Sequence, residues 1–172
     1  MRLALLLIWL PFGLSCKDNQ SAKGNSQHLG LDTIADTYTV TGGNASMNLA
    51  ILRAKNSIDE FDEALTNNNP SCTDFAVKKR YETLDGGGEH MWIGGITKVE
   101  GAYVGFVSNI AEKTTEVNYG DTVIVEKSEI TDWMYLENNV LRGGYTILEM
   151  RDQMSKEDRL RWDLELGFKI EE

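Results

Sequence analysis

The chain has 172 residues, of which 41% are hydrophobic and 26% are charged, and its formal net charge is −10. This length and composition fit one globular domain with a hydrophobic core and a short extra segment, and they argue against global disorder. An acidic chain is repelled by the phosphates of nucleic acids and by anionic lipid headgroups, so we expect no nucleic-acid partner. The acidic surface suits solubility, a basic protein partner or a cation.

The first sixteen residues, MRLALLLIWLPFGLSC, have the layout of a secretory signal peptide. One arginine precedes an apolar run from Leu3 to Leu10, which is too short to span a bilayer as a helix. The ending GLSC resembles a bacterial lipoprotein cleavage box, in which Cys16 is lipidated and becomes the first mature residue, although Gly13 stands where an aliphatic residue is usual. An ordinary signal peptide and an uncleaved anchor are the alternatives. We therefore expect residues 1–16 to be a signal peptide and the protein to be a lipid-anchored component of a bacterial cell envelope, on the periplasmic face or at the surface.

The two cysteines and two histidines restrict the chemistry. If Cys16 is lipidated, Cys72 is left alone and no intramolecular disulfide is possible. We interpret Cys72 as a partly buried structural residue, with a nucleophile as the alternative. His28 and His90 are the only histidines, and no Cys/His cluster has the spacing of zinc ligands. We expect no metal site and no cofactor.

Residues 17–45 are rich in Ser, Asn, Gly, Thr and Asp and predict a flexible tether, in which DTIADTYTVTGG could form a short strand or extended arm. Residues 46–172 then form a single domain. From Met47 to Leu65 apolar residues recur every three or four positions, which predicts one helix that packs on a core. Pro70 follows the end of this helix.

Beyond the helix the period of the apolar residues changes to two. The alternating segments are DFAVKKRYE, HMWIGGITKV, GAYVGFVSN, DTVIVEK, ITDWMYL and VLRGGYTILEM. Short strands separated by turns predict an antiparallel meander, and Gly94–Gly95 predict a bulge or a close approach of the backbone. A sheet with one apolar face needs a cover, which the helix over Met47–Leu65 supplies.

The segment MSKEDRLRWDLELGF predicts a C-terminal helix that is capped by Ser155 and ended by Gly167. Two apolar stripes run along it: Leu160, Leu164 and Phe168 form one, and Trp162 and Leu166 form the other. The predicted fold class is therefore α+β, with an N-terminal helix packed on a curved antiparallel sheet of about five or six strands and a C-terminal helix. A barrel-like sheet is the alternative form.

Several motifs together resemble the YegJ-like family, a bacterial domain-of-unknown-function family. These motifs are FAVKKRYE, GGGEHMWI, GAYVGFVSN, YGDTVIV, ITDWMYLENNVLRGGYT and RDQMSKEDRLRWDLELGF. With the preceding helix they cover roughly residues 47–168, and the specific part is DWMY followed by GGYT with EHMW upstream. The segment SNIAEKTT lacks a proline expected in the family's loop, and the lipoprotein-type N-terminus is not shared by every member. The resemblance implies a fold but no established activity.

The first candidate site is GEHMW, where a glycine turn enters a strand. His90 and Trp92 share one side of this strand, and Glu89 lies on the other. A histidine beside a carboxylate can act as an acid–base pair, and Asp132 on another strand is a better partner for His90 than Glu89 is. The alternative is a histidine whose ring nitrogens are satisfied by the backbone and a neighbouring strand.

The second candidate is ITDWMY, in which alternation places Ile130, Asp132 and Met134 on one face and Thr131, Trp133 and Tyr135 on the other. An aspartate among large apolar residues needs a donor, for which backbone N–H groups, Arg142 and His90 are the candidates. The functional interpretation is a carboxylate in an aromatic-lined groove, and the structural one is a carboxylate that fixes the hairpin.

The third candidate is LRGGYT, which contains Arg142 and Tyr145. Gly143–Gly144 do not match a phosphate loop, because no lysine follows at the right spacing and we expect no helix to start there. Glycines in a strand more often leave room for a bulky ring, here that of Trp92 or Trp133.

No nucleophile motif or carboxylate pair points to a reaction, and the sequence favours a non-catalytic module that binds a protein in the envelope, as an inhibitor or immunity factor does. The alternatives are a hydrolase-like enzyme that uses His90 and Asp132, a small-ligand carrier and a structural envelope protein. The expected binding residues are Glu89, His90, Trp92, Asp132, Trp133, Arg142 and Tyr145.

Overall fold

The computed structural model describes residues 45–171. The expected signal peptide, the lipidation at Cys16 and the tether up to residue 44 lie outside this range. The helices are α1 (Ala45–Asn56), α2 (Ile58–Thr66), α3 (Tyr145–Gln153) and α4 (Lys156–Glu165). The strands are β1 (Cys72–Glu82), β2 (Gly88–Val99), β3 (Ala102–Val107), β4 (Thr122–Val125), β5 (Ile130–Glu137) and β6 (Val140–Gly143), and one 3₁₀ turn spans Lys127–Glu129.

The six strands form one sheet in the order β4-β3-β2-β1-β5-β6, and every neighbouring pair is antiparallel. The central strand β1 pairs with β2 on one side and β5 on the other. The predicted α+β class and the strand number are confirmed. The sheet is open, however, and does not close into the barrel-like form.

The sheet has a hydrophobic core on each face. Val77 of β1 lies opposite Ile93 and Trp133, so these three side chains share the first face, where α1 and α2 cover them. The main buried residues of this core are Ala54, Ile58, Phe61, Val77, Tyr81, Met91, Ile93, Tyr103, Val107, Val125, Ile130 and Trp133. Many antiparallel sheets bury one face and leave the other in solvent, whereas this sheet has a core on both faces.

The second face is covered by α3, α4 and the residues that follow α4. Ala76 lies opposite Met134. Lys78 follows two residues later on β1 and lies opposite Trp92, so all four side chains are on this face. The core here consists of Met47, Ala76, Trp92, Met134, Leu136, Leu141, Ile147, Met150, Met154, Trp162, Leu166 and Phe168. The strand β5 is therefore buried on both sides.

The single helix predicted over Met47–Leu65 is divided into α1 and α2 at Ser57. The Ser57 hydroxyl donates to the carbonyl of Arg53 at 2.9 Å, and a serine bonded back to the preceding turn commonly bends a helix. The predicted apolar stripe is otherwise confirmed. Its buried members are Met47, Ala50, Ala54, Ile58 and Phe61.

The prediction that VLRGGYTILEM is one strand is wrong, because β6 ends at Gly143 and α3 begins at Tyr145. Gly143 and Gly144 have φ angles of +71° and +64°. This left-handed backbone is readily accessible to glycine, and two such residues in succession turn the chain from the strand into the helix. The missed helix α3 is the start of the layer that covers the second face.

The helix α4 begins and ends as predicted. The Asp158 N–H donates to Ser155 Oγ at 3.1 Å, and Gly167 follows the helix with a φ of +71°. Only one of the two predicted apolar stripes is buried in full, however. Trp162 and Leu166 face the core, whereas Leu160 and Leu164 of the other stripe are exposed and only its last member, Phe168 beyond the helix, is buried.

The two edges of the sheet differ. The chain after α4 runs beside β6, where Leu141 N–H donates to the Lys169 carbonyl and Lys169 N–H donates to the Asn139 carbonyl, both at 2.9 Å. No segment between residues 45 and 171 pairs with the outer edge of β4. Within the same range, no helix is both long and apolar enough to span a bilayer.

Candidate functional site

Asp132 is completely buried in β5 and its carboxylate accepts four hydrogen bonds. Oδ1 accepts from the N–H groups of Trp133 and Tyr145 at 2.9 and 3.2 Å. Oδ2 accepts from the N–H and the hydroxyl of Thr146 at 2.8 and 2.5 Å. Tyr145 and Thr146 are the first residues of α3, whose capping residue Gly144 has no side chain to offer. Asp132 therefore caps α3 from a neighbouring strand, where its charge also suits the helix dipole.

Lys78 completes a buried polar cluster with Asp132 and Thr146. Its side chain is buried, and Nζ donates to Thr146 Oγ1 at 2.9 Å while lying 4.8 Å from the centre of the Trp92 ring. Burial lowers the pKa of Lys78 and raises the pKa of Asp132, and the attraction between the two opposes both shifts. The cluster thus joins β1, β5 and α3 through groups that solvent does not reach.

Trp133 explains why glycine occupies position 143. A Cβ on Gly143 would collide with the Trp133 ring and carbonyl oxygen, so the predicted bulky ring is that of Trp133. Its indole Nε1 donates to the Ala54 carbonyl at 2.9 Å, and the Tyr145 ring meets it edge-on at 5.8 Å. Trp133 and Tyr145 therefore hold α1 and the start of α3 against the sheet.

The structure does not bring His90 and Asp132 together, because β1 lies between their strands. His90 lies opposite Arg80, and its Nδ1 is 3.0 Å from Thr131 Oγ1. The Thr131 hydroxyl donates to the Lys78 carbonyl, so we assign the shared proton to His90 Nδ1. Burial, with the nearby charges of Lys78 and Arg80, lowers the pKa of His90 to about 4. His90 is therefore neutral at pH 7.

Glu89 binds the long connection between β3 and β4. Its carboxylate accepts hydrogen bonds from the backbone N–H groups of Glu112, Lys113 and Thr114, at 2.8, 2.9 and 2.7 Å. Burial acts to raise the pKa of Glu89, but these three hydrogen bonds hold it below its ordinary value. Glu89 faces away from His90, as alternation predicts.

The remaining candidate residues have structural surroundings. Arg142 pairs with Glu137 at 2.9 Å and with Glu171 at 2.8 Å rather than with Asp132. Trp92 is buried in the second core, and its indole Nε1 has no hydrogen-bond partner among the described residues. Cys72 is half-buried, and burial raises the pKa of its thiol, which makes the reactive thiolate scarcer.

Sequence reasoning missed Lys78 and Thr146 as members of the cluster. Alternation in DFAVKKRYE predicts Val77 on one face of β1 and Lys78 on the other, polar face, which is the expected position for lysine if only one face of the sheet is covered. The detectable signal was Asp132 itself, since an aspartate in an apolar strand requires donors and GGYT supplies two N–H groups and a hydroxyl. In the described part of the chain, no three His, Cys, Asp or Glu side chains are arranged to hold a metal.

A different surface of the domain is not covered by any residue of the range 45–171. On β3, β4 and the end of β2, the cross-strand pairs Thr97–Val104, Val99–Ala102, Val104–Ile124 and Phe106–Thr122 place seven side chains on one face. We call this the open face: Thr97, Val99, Ala102, Val104, Phe106, Thr122 and Ile124. None of the seven is charged.

The open face is substantially exposed to solvent. Val99, Phe106 and Ile124 are 50, 48 and 63% exposed. Phe106 rests on Gly95, where a Cβ would collide with its ring, and the register shift beside Gly94 confirms the predicted bulge and close approach. Contiguous apolar surface of this kind on a soluble domain typically marks a binding surface.

Comparisons with known proteins agree with the motif-based resemblance. Residues 44–170 match the family described as "Uncharacterized protein conserved in bacteria (DUF2314)". The chain is 37% identical to the "Uncharacterized protein YegJ" of Escherichia coli (strain K12) over 120 residues, which cover 69% of this chain and 76% of that protein.

A second relative belongs to Neisseria meningitidis serogroup B and is named as an ankyrin repeat protein. It is 38% identical over 103 residues, which cover 57% of this chain and 40% of that protein, so the chain spans less than half of its length. No solved structure matches this chain. The family match spans the domain from α1 to the residues that pair with β6, and the chain therefore belongs to the DUF2314 family of conserved bacterial proteins.

Proposed function

We propose that the described domain is a non-catalytic protein-binding module and that the open face is its contact surface. The observation that carries this proposal is that no described residue covers one half of this face of the sheet. The other half of the same face is buried beneath α3 and α4, whereas the open face leaves Val99, Phe106 and Ile124 about half exposed or more. An apolar and uncharged surface in a chain of net charge −10 is better suited to contact with protein than to solvation alone.

The buried polar cluster supports the same conclusion. Asp132 accepts hydrogen bonds from Trp133, Tyr145 and Thr146 and faces Lys78, so its oxygen atoms are committed to holding α3. A general base needs an oxygen within reach of a substrate, and a fully buried carboxylate does not provide one. The residues that first suggested an acid–base pair are better explained by folding.

The name of the second relative also favours a role in protein binding. In the Neisseria protein named for ankyrin repeats, a segment similar to this domain accounts for 40% of the length. Ankyrin repeats stack into extended surfaces used for binding, so this name favours interaction over catalysis. We propose that the partner of the present chain is a toxin or a hydrolase that the module inhibits, and that the two meet in the cell envelope.

Site-specific photo-crosslinking in the bacterium that produces the chain tests the contact surface. A photoreactive phenylalanine analogue replaces Ile124 on the open face, and in a control it replaces Leu84, which is 87% exposed in the turn between β1 and β2. We expect a discrete protein adduct from position 124 and none from position 84. The absence of an adduct at position 124, or the same adducts from both positions, would contradict the proposal.

The proposed lipid anchor has a separate test. Cells labelled with radioactive palmitate are expected to incorporate label into the wild-type chain and into Cys72→Ala but not into Cys16→Ala. Equal labelling of wild type and Cys16→Ala would show that the anchor is attached elsewhere. No labelling of any of the three chains would leave an ordinary signal peptide or an uncleaved anchor as the explanation of the N-terminal sequence.

A further inference from the structure

The outer edge of β4 has backbone groups available for pairing. The Val107 N–H donates to the Asp121 carbonyl at 2.9 Å, in register with the pairs between β3 and β4. Alternation along this ladder makes Val123 and Val125 the residues that exchange hydrogen bonds with β3. Thr122 and Ile124 therefore direct their N–H and C=O groups outward, where no described segment meets them.

The same two residues connect the edge to the open face. The side chains of Thr122 and Ile124 lie beside those of Phe106 and Val104 on that face. A strand added along β4 would place every second side chain on the same face, next to Ile124. Backbone pairing and apolar side-chain contact would then be made by one extended segment, which is the usual form of strand addition.

Acidic residues border this surface at three points. Glu100 lies in the turn between β2 and β3, Asp121 immediately precedes β4, and Glu126 immediately follows it. All three are exposed, and none forms an ion pair among the described residues. Asp121 accepts hydrogen bonds from the backbone N–H and the side-chain amide of Asn118, and Glu126 takes part in the capping box of the 3₁₀ turn. Their negative charges therefore remain available to a partner.

We propose that a basic, extended segment of a partner protein adds to β4 as a seventh strand of the sheet, with apolar residues at alternate positions and Lys or Arg at its ends. This rests on the proposed function and specifies the partner at the same surface. Charge complementarity identifies the occupant, because Glu100, Asp121 and Glu126 surround an uncharged centre. A second copy of this chain fits less well, since it would bring the same acidic border and a further net charge of −10.

The decisive variant is Thr122→Pro in the full chain, with Thr122→Ala as its matched control. Both remove the threonine side chain, but only proline removes the outward N–H. Proline is tolerated on an edge strand when its missing N–H faces solvent, so we expect both variants to keep the wild-type circular dichroism spectrum and unfolding midpoint. The probe is a random peptide library displayed on phage and selected on the wild-type chain.

We expect the selected peptides to alternate apolar residues and to carry Lys or Arg at their ends. In fluorescence anisotropy they should bind wild type and Thr122→Ala equally and Thr122→Pro about tenfold more weakly or worse. Peptides without these features, equal binding to the proline variant, or no enrichment would overturn strand addition. A wild-type dimer that Thr122→Pro dissociates, detected by light scattering, would replace the partner segment with a second copy.

These outcomes are distinct from a failure of the proposed function. If position 124 captures a protein in cells and that adduct persists in the Thr122→Pro background, the open face binds a partner without strand addition. If position 124 gives no specific adduct and the library yields no enriched peptide, the proposal that the domain is a binding module is wrong.

Discussion

The carboxylate of Asp132 accepts both the backbone N–H and the side-chain hydroxyl of Thr146, and this contact fixes the start of α3 on the centre of the sheet. Lys78 donates to the same hydroxyl from β1, so one threonine oxygen lies between the two buried charges. The charges, the helix terminus and the two glycines before it form one unit. Its role is to hold the helical layer on the second face.

Removing both charges of this unit should cost less than the sum of the two single removals. Asp132→Asn leaves Lys78 without a counter-charge and should lower the free energy of unfolding by about 3–5 kcal/mol, and Lys78→Met should do the same for Asp132. In the double variant neither charge remains, so we expect a loss smaller than the sum by about 1–3 kcal/mol. Urea unfolding followed by circular dichroism measures all four proteins. Strictly additive losses would mean that the pair is not coupled.

The contribution of the Thr146 hydroxyl to stability can be tested separately from the packing of the side chain. Thr146→Val keeps the branched side chain but removes the donor to Asp132 and the acceptor for Lys78, so we expect unfolding to become easier by about 1–3 kcal/mol. Thr146→Ser keeps the hydroxyl and loses a methyl group, which should cost about 1 kcal/mol. If valine were tolerated better than serine, packing rather than hydrogen bonding would explain this position.

Gly143 and Gly167 allow backbone strain to be separated from steric overlap, because both have a φ of +71°. A Cβ at Gly143 would collide with Trp133, whereas a Cβ at Gly167 has no atom within 4 Å. Gly167→Ala should therefore cost only the strain of a left-handed alanine, about 1 kcal/mol, and Gly143→Ala should cost about 1–3 kcal/mol more. Thermal unfolding of the two variants gives the comparison, and equal costs would contradict the contact with Trp133.

The strongly periodic parts of the fold were predictable from the sequence. The alternating segments gave six antiparallel strands, and the three- and four-residue spacing from Met47 identified the helical stripe that contacts the first face. Ser155 and Gly167 marked the limits of α4 because capping and termination depend on local backbone chemistry. These features depend on short-range interactions, which a sequence records directly.

The second covered face was not predictable in the same way. The pattern of VLRGGYTILEM predicts a strand where the structure has α3, so the layer that buries Lys78 is missing from the predicted fold. Alternation predicts Ile130 on the face of Asp132, but the register shift between Lys78 and Lys79 places Ile130 in the core with Trp133. A bulge changes which face a residue occupies without leaving a distinctive residue type, so alternation fails there.

Glu89 should control the mobility of the connection between β3 and β4. Glu89→Gln replaces one acceptor oxygen by a donor, so at least one of the N–H groups of Glu112, Lys113 and Thr114 loses its partner. We expect faster hydrogen–deuterium exchange at these three amides, with unchanged protection in the neighbouring strands. Glu112→Gln alters a side chain of the same loop without touching these bonds and is the control. Unchanged exchange in Glu89→Gln would show that other contacts hold the loop.

His90 should make the stability of the domain depend on pH. Its pKa is about 4 in the folded chain against an ordinary value of 6.5, so the unfolded chain binds the proton more readily. The contribution of neutral His90 is therefore complete above pH 6.5, decreases as the pH falls, and is lost at about pH 4, by at most about 3 kcal/mol. His90→Asn introduces an amide that can donate to Thr131 but cannot titrate. The free energy of unfolding of this variant should therefore fall less over this pH range.

The comparison uses urea unfolding of wild type, His90→Asn and His28→Asn at several pH values between 4 and 7. His28→Asn removes the other histidine and is the control, and a curve that follows wild type assigns the difference to His90. Carboxylates that titrate in the same interval are common to all three proteins and cancel in the difference. Parallel curves for wild type and His90→Asn would mean that His90 becomes protonated in the folded chain as easily as in the unfolded one, and its ring would then have to be open to water.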